Sequence, residues 1–579
     1  MKTKHAITRR EFIEKSALGS LVLSTVLVGS CTDHRNIDPN DPHQAGSFEY
    51  GVASFDPTAD QIILWTRVTP GTSTPKVTLT YQIATDMAFK TILKTESIDA
   101  LASDDFTVSV DIRGLSSNTS YYYKFFITNT AVTSPVGQTK TLPRGVEMNE
   151  IKLAVCSCSS YPSGLFNVYG AMALSDADVI VHLGDYIYEY GANQFGTNAT
   201  TVALGRVPSP TNALLTLADY RTRYKQHKSD PHLQLAHQKK PFICVWDDHE
   251  VADNAYENGA ANHHANEGSY AVRKANAIKA YHEYIGIRTT ADSKIYRSFS
   301  FGSILDLHML DTRHLARDKQ LDYANYFTSA GQLDGAAFVK DWLDPKRTLL
   351  GSEQRNWLGQ ALGSGKGTWQ VLGQQVIMGK MYVPVELLGV IAQLIDEVDR
   401  LGAPTPATLL AFQTLLAELT QIKARQLASD PTLTVDELKR VKTVLPYSLD
   451  AWDGYPVERE VVYGMASGKK LIVLSGDSHN GWFSDLTTND GSQAGKELAT
   501  SSITAPGFEE FIGTDPVDLA GFEQALTLLI DEAKYLDASR RGYVLATFSN
   551  STTKAEWRYV ATIAAPTVAT VVGHSETIS

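Results

Sequence analysis

The sequence predicts a β-sandwich followed by a larger α/β domain, and three patterns carry that prediction. Short alternating runs separated by turn residues fill the stretch from Gly51 to Leu142. From Glu150 onward, apolar runs of strand length are followed by helical stretches, the order of a sheet covered by helices. Several of those runs end in ionisable side chains, and ligands in open α/β sheets bind beyond the carboxyl ends of the strands. At 579 residues, with 43% apolar and 20% charged, the chain has an ordinary globular composition and the length for two or more units.

A separate segment precedes both units. Arg9 and Arg10 stand ahead of an apolar stretch from Ala17 to Val28 that is too short, and too rich in serine and threonine, to span a bilayer securely. "TRREF" resembles a twin-arginine export signal, and "LVGSC" resembles a lipoprotein cleavage box in which Cys31 would bear the lipid. The other reading of Cys31 is a free cysteine in a discarded leader. Residues 1–31 are thus expected to be a signal and residues 32–45, polar and broken by proline and glycine, a tether. Export by the twin-arginine route would place the protein in the periplasm or at the cell surface, touching the membrane only through a lipid anchor.

Between residues 46 and 144, "QIILWTRV", "KVTLTYQIA", "FTVSVDI" and "YYYKFFI" have sandwich spacing. "LSSNTSYYYKF" resembles the corner of a fibronectin type III module, with Leu115, Asn118, Thr119, Tyr121 and Tyr123 at the telling positions. There a tyrosine hydroxyl pins the loop between two strands. "TLPRGVEMNE" marks the boundary, and the second domain is expected over 150–565. Within it, "VELLGVIAQLIDEVDRL" and "TLLAFQTLLAELTQIKARQLA" have helical apolar spacing, so a helical insertion is expected at about 383–445. Its polar face mixes both charges, which favours core packing over a membrane surface.

Charge and cysteine content exclude some classes. Lysine plus arginine (52) against aspartate plus glutamate (64) leaves a net charge of −12, which argues against nucleic acid as a partner. Four cysteines, Cys31, Cys156, Cys158 and Cys244, are too few for a disulfide framework in a chain of this length. Cys244 lies inside an apolar run and reads as packing.

The strand ends carry the chemistry. "VHLGDYIYEY" places Asp185 at the end of a buried strand, where a carboxylate is costly unless paired or metal-bound, and Tyr188 follows one turn later. A capping aspartate with packed tyrosines is the plainer reading of that motif alone. "WDDHE" crowds Asp247, Asp248 and His249 at another strand end, where repulsion between the acids calls for a cation. In "LSGDSHNGW", Gly476 permits a close backbone approach. Asp477 and His479, two apart in an extended segment, would point to one side. "AVCSC" offers a thiolate from Cys158, with Cys156 competing for the role. Such a convergence of acid, imidazole, thiol and phenol points to a metal centre.

At this point the residues resemble a known family. "FEYGVASFDPTADQIILWTRVTP", "CSSYPSGLFNVY", "VIVHLGDYIYEY", "VWDDHEVADN", "LDLHMLDTR", "LGSEQRNWL", "WDGYP" and "VLSGDSHNGWF" are similar, in order from Gly46 to about Ala564, to the signatures of the alkaline phosphatase D family. The resemblance implies a fibronectin- or Ig-like β-sandwich before a calcineurin-like metallophosphoesterase domain of four layers, α/β/β/α. It implies hydrolysis of phosphate mono- and diesters by attack of a metal-bound hydroxide, with Fe3+ and Ca2+ as cofactors. By position, Cys158, Asp185, Tyr188 and His479 would hold iron, while Asp185 would bridge to calcium held by Asp248 and Asp477. His249 would hydrogen-bond the phosphate or protonate the leaving group. Arg313 would either grip phosphate or pair with neighbouring Asp311. Asn254 is a further possible ligand. The family usually has glycine where this chain has Phe55, a departure expected to affect only the sandwich.

The expected function is a secreted, metal-dependent alkaline phosphatase or phosphodiesterase acting as a monomer. A phosphodiesterase directed at phospholipid or cell-wall polymer is the runner-up, and a non-catalytic surface scaffold is the reading from outside enzymology.

Overall fold

The computed structural model describes residues 46–288, 294–328 and 333–579. The expected signal, tether and Cys31 anchor lie outside the described residues. Two sheets dominate. The first has nine strands, in spatial order Thr570–Ile578, Thr553–Val560, Gly542–Ser549, Glu150–Cys156, Val179–His182, Pro241–Cys244, Val52–Phe55, Gln61–Arg67 and Thr107–Arg113. The second has seven: Arg297–Phe301, Leu305–Met309, Trp369–Gly373, Lys470–Ser475, Gln493–Ala499, Gly481–Thr487 and Ala533–Asp537.

Period-two alternation explains how these sheets stack. Along Lys470–Ser475, Ile472 and Leu474 join the core that both sheets share, whereas Leu471 and Val473 face the core under outer helices such as Gly351–Ser364 and Pro456–Met465. Helices Asn167–Leu174, Leu217–Lys228, Pro231–Lys239 and Tyr270–Tyr284 cover the far face of the nine-stranded sheet. The order is α/β/β/α.

The sandwich forms as expected, but it is not a separate body. Its second sheet is Ile92–Leu101, Lys76–Ala84, Ser120–Ile127 and Gly137–Lys140; its first is the outer part of the nine-stranded sheet. Val52–Phe55 runs parallel to Pro241–Cys244, with Ser54 opposite Pro241 and Phe55 opposite Phe242. Ile62 and Leu64 point into the sandwich core, while Ile63 and Trp65 point through the sheet into the main core. The boundary between 144 and 150 is therefore one of sequence and not of hydrogen bonding. The same correction applies at 565, because Thr570–Ile578 supplies the opposite edge strand. The tyrosine corner is present: the Ser116 N–H donates to the Tyr121 hydroxyl at 2.8 Å.

Phe55 corrects another expectation, since it belongs to the main core rather than the sandwich core. It packs on His237 with ring centroids 5.3 Å apart. Beside it the fully buried Lys228 lies 4.4 Å from the Trp65 ring and 3.2 Å from His237 Nε2. Burial pushes the Lys228 ammonium down to about 7. An unfolded lysine titrates near ~10.4, so between about pH 7 and 10 the unfolded chain binds more protons and folding stability rises with pH. The melting temperature of Lys228→Met is expected to climb less across that window than that of the wild type.

The helical insertion is closed by a two-stranded ribbon in which Tyr382–Pro384 pairs with Val444–Pro446. Its helices are Val385–Leu401, Pro406–Leu427 and Val435–Lys442. Leu394, Phe412 and Leu419 pack into the core with Phe522 and Leu526 of the helix Pro516–Leu529, as the apolar spacing predicts. Among the described residues, no helix is long and apolar enough to cross a membrane.

Candidate metal centre

Three parallel strands, Glu150–Cys156, Val179–His182 and Pro241–Cys244, end level with one another, with Cys156 and Cys244 both opposite His182. Their loops emerge side by side. The loop after Lys470–Ser475 meets them from the second sheet, and a Cβ at Gly476 would lie 2.5 Å from Ser157 Oγ. Glycine is required there by the close approach the sequence suggested. Gly184 is tighter still: at φ +111 its Cβ would stand 2.4 Å from Asp247 Cβ and 2.5 Å from Asp247 N.

The donors lie on strained backbone. Cys158 (φ 63), Asp185 (54), Asn254 (54), Asp477 (61) and His479 (63) all occupy the left-handed region that non-glycine residues avoid. Such outliers gather where surrounding structure must fix a functional geometry. Ligand atoms of Cys158, Asp185 and His479 lie within 4.8 Å of one another, as do those of Asp185, Asp248 and His249, and those of Asp247, Asp248 and Asp477. Tyr188 joins the first group, its hydroxyl 3.0 Å from Asp185 Oδ2 and 3.2 Å from His479 Nε2. Asp185 is common to the first two groups.

Supporting contacts set the protonation states. His479 Nδ1 is 2.7 Å from the Pro506 carbonyl, which can only accept, so Nδ1 donates and Nε2 keeps its lone pair toward the cluster. Burial, and then neighbouring His249, hold that imidazole down to about 3. Burial pushes Asp185 and Asp247 well up, and Asp477 up to about 6. Asp248 is the exception: burial opposes its charge, but Arg313 and His249 outweigh it and hold the carboxyl low. Burial also raises the Cys158 thiol and the Tyr188 phenol, with Asp185 adding to both. The protein's own cations do not neutralise this set. Bound metal would hold these groups ionised, so the donors fit metal: thiolate, phenolate, imidazole and carboxylate on one side, and on the other carboxylates with the His249 imidazole beside them.

Most of the sequence expectations converge here. Cys158, Asp185, Tyr188, Asp248, Asp477, His479 and His249 occupy one site. Cys156 ends its strand and packs in the main core, so Cys158 is the site cysteine. The loop holding Asp477 and His479 is not extended, as both residues are left-handed; convergence comes from the turn and not from strand alternation. The salt bridge with Asp311 expected as one reading of Arg313 is not formed. The fully buried Arg313 guanidinium reaches Asp247 Oδ1 at 2.5 Å, Asp450 Oδ2 at 2.6 Å and Asp477 Oδ1 at 2.8 Å. Asp311 accepts instead from the backbone N–H groups of Arg313 and His314. With its fork on these carboxylates, Arg313 ties together the loops that carry Asp247, Asp450 and Asp477. Asn254 is adjacent, its N–H donating to Asp248 Oδ2 at 2.5 Å.

Several residues were missed. Glu189 Oε2 holds His249 Nδ1 at 2.7 Å. Glu250 accepts from the N–H groups of Asp185 (3.1 Å), Tyr186 (2.6 Å) and Asp247 (2.7 Å), tying two strand ends with one carboxylate. Phe195 stacks beside Tyr188 and His249. Glu189 was visible as the acid among the tyrosines of "YIYEY", whereas nothing in the sequence pointed to Phe195.

Comparison with known proteins agrees with this architecture. Residues 153–557 match the model of the PhoD-like phosphatase family, and residues 34–143 match that of the PhoD-like phosphatase N-terminal domain. The chain belongs to the PhoD-like phosphatase family. It is 32% identical to alkaline phosphatase D of Bacillus subtilis (strain 168) over 521 residues, 86% of this chain and 76% of that protein. It superposes on the solved structure of PhoD with a TM-score of 0.71 at 29% identity, covering 92% of this chain and 90% of the other. This PhoD-like phosphatase is thus an enzyme of the alkaline phosphatase D type, with the fold expected from the sequence.

Proposed function

We propose that this PhoD-like phosphatase is a metal-dependent hydrolase of phosphate mono- and diesters. Iron would be held by Cys158, Asp185, Tyr188 and His479, and calcium by Asp185, Asp248 and Asp477. The observation that carries the reading is the sharing of Asp185 between two donor groups of different chemistry. Export by the twin-arginine route, a lipid anchor at Cys31 and a monomeric state complete the proposal and rest on the leader sequence and the family resemblance.

When bound, the cations supply Lewis-acid charge to the phosphoryl oxygens and a hydroxide nucleophile at neutral pH. The chain's own residues then position and protonate. With Nδ1 fixed by Glu189, His249 has Nε2 to hydrogen-bond the phosphate or to deliver a proton to the leaving oxygen. Its ring packs on Tyr188 with centroids 4.3 Å apart, which sets the imidazole plane. Arg313 keeps Asp247, Asp450 and Asp477 in place.

Chelation tests the proposal directly. Hydrolysis of p-nitrophenyl phosphate and of its bis ester is expected to disappear with chelator and return with metal, and elemental analysis of the purified protein should find iron and calcium together. Full activity in metal-free protein would reject it. A protein that holds both metals yet turns over neither ester would support the scaffold reading. In Glu189→Gln the imidazole loses its anchor, and kcat is expected to fall about 10–100-fold with KM little changed; a fall confined to KM would contradict the assignment of His249.

A further inference from the structure

We propose that Phe195, with Tyr190 beside it, is the wall against which the substrate's leaving alcohol lies, so that the enzyme favours phosphate esters of alcohols bearing an aromatic ring over saturated ones of the same size. The inference rests on the ester-hydrolase reading above and names its substrate class. Phe195 packs directly on residues of the metal centre. Its ring centroid lies 5.5 Å from that of Tyr188 and 6.2 Å from that of His249, with interplanar angles of 22° and 11°, and 6.0 Å from that of His479. Tyr190 closes the same corner, 5.4 Å from Phe195 and 5.5 Å from His249.

Burial shows from which side a substrate arrives. Cys158, Asp185, Tyr188 and Asp248 are no more than 3% exposed, whereas Tyr190, Phe195, Asp477 and His479 are half-buried. A phosphate ester therefore reaches the donors past that second set, and the part of it facing solvent stays among them. In hydrolysis the oxygen of water bonds to phosphorus, the bond from phosphorus to the alcohol oxygen breaks, and that oxygen leaves with a proton. If His249 Nε2 delivers the proton, the leaving oxygen sits about 3 Å from it. The half-buried rings packed around that imidazole are Tyr190 and Phe195, so the carbons beyond the oxygen meet them first. A flat ring gains there from offset or edge-to-face contact in addition to the area it buries, and a saturated ring gains only the area.

The wall is held in place before any substrate arrives. The Thr197 N–H donates to the Gln194 carbonyl at 3.1 Å, which closes a turn around Phe195. Gly196, at φ +76, is pressed so closely on the next loop that a Cβ would lie 2.4 Å from Ser160 Oγ and 2.6 Å from Ser163 Oγ. Asn198 Nδ2 donates to the Ser163 carbonyl at 2.8 Å and the Thr201 hydroxyl to the Pro162 carbonyl at 2.9 Å. These contacts moor the Phe195 loop to the segment that follows Cys158, so the ring keeps its place over the site and little ordering cost is left for binding.

The test uses the metal-loaded full chain with benzyl and cyclohexylmethyl phosphate, esters of primary alcohols closely matched in size and leaving-group acidity. The expected result is a kcat/KM about three- to tenfold higher for the benzyl ester. Phe195→Leu should remove that preference, and Phe195→Tyr, which keeps the ring, should retain it. A residue that only props up Tyr188 and His249 would, when replaced, slow both esters alike. An unchanged ratio in Phe195→Leu, or equal turnover of the two esters by the wild type, would therefore overturn the proposal. Calorimetric binding of phenethylphosphonate and its cyclohexyl analogue, whose carbon–phosphorus bond resists hydrolysis, reads the wall apart from catalysis. If neither ester is hydrolysed, the ester-hydrolase reading fails, yet the aromatic phosphonate bound about threefold tighter or more by wild type and not by Phe195→Leu would uphold the wall, and equal binding would overturn it.

Discussion

Asp185→Asn is expected to lower kcat/KM on p-nitrophenyl phosphate by about a thousandfold, roughly 4 kcal/mol of transition-state stabilisation, and to release both kinds of cation together. The pairing of those losses follows from geometry, because Asp185 belongs both to the Cys158 and His479 group and to the Asp248 and His249 group. Asparagine suits the test. It is close to isosteric, it tolerates the left-handed backbone (φ 54) that Asp185 adopts, and it keeps the N–H that donates to Glu250. Melting temperature should therefore hold while metal content collapses. Asp248→Asn is the control, expected to lose metal only on the carboxylate side. Stoichiometric retention of both metals by Asp185→Asn would dismantle the shared-ligand scheme.

Gly184→Ala should harm the protein by a different route. An added methyl meets the backbone nitrogen and Cβ of Asp247 at about 2.5 Å and 2.4 Å, and neither is the end of a flexible side chain that can swing aside. The φ of +111 adds backbone strain for any L side chain. Together these should cost roughly 2–4 kcal/mol of stability, read as a lowered unfolding midpoint in urea. They should also push apart the loops carrying Asp185 and Asp248, so that metal is lost as well. Gly476→Ala would meet Ser157 at Oγ (2.5 Å) and Cβ (2.7 Å) but no backbone atom so closely, and without a left-handed φ it should be milder. Equal stability of Gly184→Ala and wild type would show that the strand ends shift independently.

The sequence made the site legible to the extent that chemistry is local. Each apolar run ended in its donors, and burial of several acids without matching bases argued for a cation before any geometry was available. Left-handed backbone at Cys158, Asp185, Asp477 and His479 could not be read, because φ at such residues is imposed by the surrounding loops and leaves no trace in composition. The carboxylate partners of Arg313 could not be read for the same reason: Asp247, Asp450 and Asp477 are far from it in the chain. The choice between Cys156 and Cys158 turned on where one strand stops, a boundary that periodicity locates only to within a few residues. The sandwich strands and the tyrosine corner were clear, being alternation and a local motif, but their fusion with the main sheet was hidden in one parallel pairing between residues almost two hundred positions apart.

That pairing bears on how such a protein can be divided. A chain cut after residue 149 would leave Pro241–Cys244 as a bare edge, its peptide groups offered to any passing strand. It would also strip away Phe55 and Trp65, two of the aromatic walls around Lys228. The N-terminal segment is better regarded as the flank of a single cooperative fold than as an exchangeable bead on a string, and evolution could not have swapped it without rebuilding the neighbour it leans on.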